Sequence, residues 1–129
     1  MVDGANELTD RFLDFGVRVV RVARELNRTS LGRPMATQML RCDTSCGANY
    51  EEARAAESRR DFIHKLGLSL KELRECRFWL LLIQRGEAIS PPRVTPLQKE
   101  CEELAAIMAQ SIITAKNNSS GDTAPDTEA

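Results

Sequence analysis

Hydrophobic residues recur in the first part of the chain at steps of three and four positions, which is the repeat of one face of an α-helix. The first stripe predicts a helix from Asn6 to Arg28. Its members are Leu8, Phe12, Phe15, Val19, Val22 and Leu26. Polar residues interrupt the pattern at 27–33, and a second stripe then predicts a helix from Pro34 to Glu57.

A third helix is indicated by signals at both of its ends. Ser58 and Asp61 resemble a capping box, in which a serine side chain accepts a hydrogen bond from a free backbone N–H group. The apolar stripe that follows runs to Ile83. Gly86 is expected to stop this helix in a left-handed conformation, which glycine adopts without steric cost.

The fourth helix is predicted to begin at Thr95, because Thr95–Gln98 has the pattern of a second capping box. Pro91, Pro92 and Pro96 are expected to keep the preceding segment out of any helix interior, since proline has no backbone N–H group. The apolar stripe predicts that the helix ends at Lys116.

The four stripes together define the expected fold. No segment alternates like a β-strand, and no long-period repeat is present. We therefore predict an all-α fold, an up-down-up-down antiparallel four-helix bundle over residues 1–116. Residues 117–129 contain three acids and no base and cannot bury a core, so they are predicted to form a disordered acidic tail.

Size and charge narrow the function classes. The chain has 129 residues, 18 lysines and arginines and 19 acids, giving a net charge of −1, which suits one domain without a strong field for nucleic acid. Charges interrupt every long apolar stretch, so no membrane span is predicted. The acidic first residues do not resemble a secretory signal, and we expect a cytoplasmic protein.

The candidate metal and catalytic residues are few. Four cysteines, at positions 42, 46, 76 and 101, fall inside helical patterns, and we interpret them as reduced core residues, with a zinc site as the alternative. Asp61 and His64 have the spacing of a di-iron ligand pair, but a di-iron bundle needs two such pairs and this chain has one histidine. We therefore predict no cofactor and no enzymatic activity, with an enzyme or metal protein as the remaining alternative.

One segment of the third helix has more apolar surface than a single buried face requires. Residues 78–83 are hydrophobic around the whole helix, which predicts a homo-oligomer whose interface contains Phe78, Trp79 and Leu82. The alternative is that the N-terminus or the proline segment covers this surface.

Basic residues around the predicted turn between the second and third helices form a candidate partner site. Its members are Arg54, Arg59, Arg60, Lys65, Lys71 and Arg74. Neighbouring acids, among them Glu51 and Glu52, offer neutralising partners. We expect this surface to bind a protein or ribonucleoprotein partner, with RNA itself as the alternative. Asn49 lies on the second stripe and is predicted to be a buried polar residue whose hydrogen bond to Glu72 or to the third helix sets the register.

Several segments carry a family resemblance. They are Thr44–Ala53, Asp61–Leu66, Leu70–Glu75 with Trp79-Leu80, Glu103-Leu104 and Ile112–Lys116. The chain thereby resembles, over residues 8–116, the bacterial four helix bundle protein family, also called the 23S rRNA-intervening-sequence or S23-like family. The resemblance implies a ring-like homo-oligomer, a pentamer, without catalytic activity. A relative, the accessory variability determinant of diversity-generating retroelements, partners a reverse transcriptase and its RNA and is strongly basic, whereas this chain is not.

Overall fold

Four α-helices make up the described part of the chain. The computed structural model describes residues 4–121, with side chains over residues 7–118. The helices are α1 (Gly4–Leu26), α2 (Gly32–Arg54), α3 (Arg59–Arg85) and α4 (Pro91–Gly121). No strand occurs within residues 4–121, which confirms the predicted all-α four-helix bundle. Residues 122–129 of the predicted tail lie outside the described residues.

The helices pack in chain order. α2 packs on α1 and α3, and α4 packs on α3 and α1. Within residues 4–121, the Cα atoms of the other two pairs, α1 with α3 and α2 with α4, do not come within 8 Å of each other. α1 and α3 are therefore diagonal partners across the core. The stripes predicted from the sequence supply this core, with Phe15, Met39, Leu73, Leu80 and Leu104 among its fully buried side chains. Short connections at 27–31, 55–58 and 86–90 force consecutive helices to run antiparallel.

The structure confirms the predicted start of α3 and contradicts the predicted conformation at its end. The serine cap is confirmed, because Ser58 Oγ accepts a 2.9 Å hydrogen bond from the N–H group of Asp61. The expected left-handed glycine is wrong: Gly86 has an ordinary φ of −82°, and the left-handed residue is Glu87, with φ 54°. The Ala88 N–H group donates to Ile83 O at 3.0 Å, which closes a Schellman motif one residue later than expected.

The predicted start of α4 at Thr95 is also wrong. α4 begins at Pro91 and contains Pro96 in its interior. The hydroxyl of Thr95 donates to Pro91 O at 3.0 Å, within the helix, instead of capping it. Prolines in a first turn cost nothing because the N–H groups there have no helical partner, and the additional turn buries Val94 completely. At its other end α4 runs past Lys116 to Gly121.

Candidate functional site

Lys65 and Arg54 of the predicted basic cluster have partners on neighbouring helices. Lys65 Nζ lies 2.7 Å from Glu52 Oε1, and this hydrogen bond raises the lysine pKa. Arg54 Nη1 donates to Thr9 Oγ1 at 2.8 Å and lies 3.5 Å from Glu51 Oε1. These two side chains therefore tie α2 to α3 and α1, and much of their charge is already balanced.

The remaining members of the cluster lie on α3. Arg59 is half-buried at its first turn, whereas Arg60, Lys71 and Arg74 are exposed. Over the residues whose side chains are described, none of these last three forms an ion pair within 4.0 Å. The structure thus leaves a narrower basic surface on the outside of α3 than the sequence predicted.

A charged seam between α2 and α3 was not predicted from the sequence. Arg41 on α2 pairs with Glu72 at 3.2 Å and also with Glu75. Glu75 accepts a second hydrogen bond from Trp79 Nε1 at 3.2 Å. The bonds from Arg41 and Trp79 lower the pKa of Glu75, so this carboxylate is ionised and internally satisfied.

The predicted oligomer interface is an exposed apolar surface at two of its three positions. Phe78 is 57% exposed, and Leu82 is also exposed. Trp79 is half-buried against the core, with its ring 5.2 Å from that of Phe78 in an edge-to-face arrangement. We call the outer surface formed by Lys71, Arg74, Phe78 and Leu82 the α3 face.

The buried polar residues differ from the one that was predicted. Asn49 is only half-buried, and its Nδ2 donates to Ser45 O, 2.8 Å away in its own helix, so the predicted register bond to α3 is wrong. Ser69 makes the bond between helices instead, donating to Cys46 O at 2.8 Å. Asn49 lies one position before Tyr50, whose larger ring takes the core-facing site.

All four cysteines are buried free thiols. Burial raises the pKa of Cys46, and Cys42 and Cys101 donate to backbone carbonyl groups of Met39 and Leu73. Among the described residues, no group of three or more His, Cys, Asp or Glu side chains is arranged to hold a metal ion. His64 is exposed on α3. None of the helices, as far as they are described, is apolar enough over a sufficient length to cross a bilayer.

A groove between α1 and α2 was missed by the sequence analysis. It encloses about 700 Å³. Its apolar wall is a second stripe on α1, formed by Leu13, Val17 and Val20, all of them exposed and Leu13 by 64%. The spacing of these residues would have revealed the stripe, since they recur at four and three positions beside the buried one. We call this surface the α1–α2 groove.

Asp43 lies at the floor of the α1–α2 groove. It is only 7% exposed, and a β-carbon at Gly16 would lie 3.4 Å from its Oδ2 atom. Burial raises the pKa of this carboxyl group to about 6. No hydrogen bond or ion pair joins its carboxylate to any side chain described, although Arg21 and Arg24 also line the groove. An anion without a partner at such depth is costly, which marks the groove as unusual.

The sequence and the fold of this chain are similar to those of known proteins. Residues 6–110 match the family model described as 23S rRNA-intervening sequence protein. Among solved structures, a protein of unknown function from the S23 ribosomal protein family of Bacteroides thetaiotaomicron is 36% identical, with a TM-score of 0.76. The match covers 81% of this chain and 96% of that chain. No curated protein matches the sequence.

Proposed function

This chain belongs to the 23S rRNA-intervening sequence protein family, and from that premise we propose that it is a non-enzymatic, homo-oligomeric scaffold that binds a protein or ribonucleoprotein partner. The observation that carries the proposal is the exposure of large apolar side chains at two separate places, Leu13 and Val17 on α1 and Phe78 and Leu82 on α3. Water-exposed apolar surfaces of this kind are typical of interfaces between proteins.

The chemistry of the bundle supports a binding role. Its cysteines are buried, and a buried thiol with a raised pKa is a poor nucleophile. Its one histidine, His64, is exposed on α3, whereas those thiols are buried. A pentameric ring is the assembly that the sequence resemblance implies, and we adopt it as the proposed form.

The proposed assembly predicts the effect of one substitution on the native mass. We expect light scattering at micromolar concentration to give several times the 14.4 kDa chain mass, five times for a pentamer. Phe78→Asp is expected to reduce it to the mass of one chain, because burying a charge in an apolar interface is expensive. Phe78→Leu is the matched control and should keep the assembly.

The far-UV circular dichroism of both variants should equal that of the natural protein, because Phe78 is exposed in the single chain. A natural protein with a sharp mass near 14.4 kDa would contradict the proposed oligomer. An unchanged mass for Phe78→Asp would show that the assembly uses another surface.

We place the partner site at the turn between α2 and α3, around Arg59 and Arg60. A ring repeats this turn once per subunit, so individually weak contacts add up through avidity. RNA is the second candidate, favoured by the exposure of Arg60, which forms no ion pair within 4.0 Å among the described side chains. The two candidates differ in how binding responds to salt and to nuclease.

Substitution of Arg60 tests this site. We expect Arg60→Glu to remove a partner that co-purifies from the native host, whereas Arg33→Glu, at the opposite end of α2, should retain it. A partner that survives nuclease treatment supports the scaffold. Binding of a labelled single-stranded RNA that weakens steeply with salt supports the RNA candidate instead. Retention of every partner by Arg60→Glu would contradict a site at this turn.

A further inference from the structure

We propose that the α1–α2 groove receives the α3 face of a second copy of this chain, with Phe78 and Leu82 packed on Leu13 and Val17 and a basic residue beside Asp43. The inference rests on the proposed homo-oligomer and names both of its surfaces. The contact is head-to-tail, because the two surfaces are different parts of the molecule.

The α1–α2 groove has an apolar wall like that of a protein interior, but no side chain that the structure describes fills it. Its wall is the exposed stripe of Leu13, Val17 and Val20, and its floor is opened by two glycines. At Gly47 a β-carbon would make ordinary van der Waals contact with Phe12 Cβ, at 3.7 Å. Residues larger than glycine at positions 16 and 47 would fill part of the space in which a side chain inserted from another copy would lie.

Asp43 gives the groove a reason to bind a positively charged group. Asp43 as a whole residue is only 7% exposed, it lines the groove, and it forms no ion pair within 4.0 Å with any side chain described. Arg21 and Arg24 stand at one end of the groove and Glu51 at the other. A buried carboxylate becomes much less costly when a cation with hydrogen-bonding capacity approaches it. The groove therefore favours an occupant that is apolar and basic.

The α3 face has both properties. Lys71 and Arg74 form no ion pair within 4.0 Å with any side chain described, although the charge of Lys71 helps to lower the pKa of Glu75. Phe78 and Leu82 follow on the next turns of the same surface. Glu72 and Glu75, the two acids in this segment, are both already bound by Arg41. They therefore do not oppose docking beside Asp43.

The lengths of the two surfaces agree. At 1.5 Å per residue the α3 face, from Lys71 to Leu82, extends about 17 Å. The groove extends about 22 Å along α1, from Thr9 to Arg24. One helix face thus fits within the groove without leaving its apolar residues in water.

Head-to-tail contact explains how a ring would form. α3 packs on α2 and α4 and lies diagonally opposite α1, so a chain cannot place its own α3 face in its own groove. Each copy instead offers one groove and one face. Such a heterologous contact repeats from copy to copy and forms a ring when the rotation between successive copies closes.

Mixing two defective variants tests the pairing of these surfaces. Leu13→Asp removes the groove and Phe78→Asp removes the α3 face, and each variant alone is expected to stay at the mass of one chain. An equimolar mixture retains one intact groove and one intact face, so we expect a 1:1 heterodimer of twice 14.4 kDa and no larger species. Val17→Asp should reproduce Leu13→Asp, and circular dichroism checks that all three variants are folded.

Asp43 gives a second, independent measurement. The charged groups near it are Arg21 and Arg24 on α1 and Glu51 on α2, with the thiol of Cys46 behind it. Because Asp43 must be ionised to bind a cation, we expect assembly of the natural protein to be about tenfold weaker at pH 5 than at pH 7.5. Asp43→Asn should assemble weakly at both pH values. Equal assembly of Asp43→Asn and the natural protein at pH 7.5 would overturn the role of this carboxylate.

The outcomes separate this inference from the proposed function. An oligomeric natural protein whose two variants fail to form a heterodimer overturns the head-to-tail pairing and leaves the scaffold proposal standing. A monomeric natural protein overturns both.

Discussion

Gly32→Ala is expected to lower the free energy of unfolding by about 3 kcal/mol, the upper part of the range for overpacking a closed site. A β-carbon at this position would lie 2.1 Å from Leu26 O, a backbone atom that cannot rotate away. The same turn is held by Thr29, whose Oγ1 accepts from the Gly32 N–H group at 2.9 Å. Accommodating the methyl group therefore requires the α1–α2 connection to move and to lose this bond.

Gly67→Ala is the matched control for that substitution. Gly67 lies inside α3, and a β-carbon there would meet no atom within 4 Å. Because glycine costs a helix interior conformational entropy, this variant is expected to gain about 0.5–1 kcal/mol. Urea denaturation of both variants in the Phe78→Asp background keeps oligomerisation out of the measurement. Equal stability of the two alanine variants would contradict the close approach at Gly32.

Asp43→Asn is expected to stabilise the monomeric Phe78→Asp variant by about 2–3 kcal/mol at pH 7.5 and to have little effect at pH 4. Burial raises the pKa of Asp43 to about 6 from an ordinary value of 3.8, a difference that corresponds to about 3 kcal/mol. The proton is bound more tightly in the folded state, so the charge costs stability only above the unfolded pKa. Stability is therefore lost as the pH rises from about 4 to 6.

Denaturation curves at several pH values check this prediction. The stability of the monomeric variant with Asp43 should fall between pH 4 and pH 6 relative to that of its Asp43→Asn derivative. A matched control is Asp14→Asn, which removes an exposed acid of α1 paired at 3.8 Å with Arg18. A loss of stability for Asp43→Asn at pH 7.5 would mean that the carboxylate has a favourable partner inside the single chain.

The two roles assigned to Asp43 give opposite signs. In the single chain its charge destabilises the fold, because Asp43 is buried and neither Arg21 nor Arg24 of the groove forms an ion pair with it. In the proposed assembly the same charge strengthens the contact, since the α3 face supplies Lys71 and Arg74. An ordinary structural residue would change stability and assembly in the same direction. Measurement of both quantities on Asp43→Asn therefore separates a docking residue from a misplaced core acid.

Local signals in the sequence were sufficient to predict a helix end where that end depends only on residues close to it in the chain. The Ser58 cap was predicted because a serine before a helical stripe needs only the N–H group three residues later. The start of α4 was predicted wrongly, because the pattern Thr95–Gln98 is the same whether it begins a helix or lies one turn inside it. The burial of Val94 decides between these cases, and burial depends on α3 and the other helices.

Hydrophobic periodicity by itself determined the four helices, their antiparallel order and most of the core, because an amphipathic helix has one face that must leave water. Only the tertiary structure decided which polar groups were buried. Asn49 and Asp43 lie on neighbouring parts of α2. α1 covers the acid at Gly16 and leaves the amide half-exposed. The same packing created the groove, since the angle and distance between two helices are set by side chains far apart in the chain.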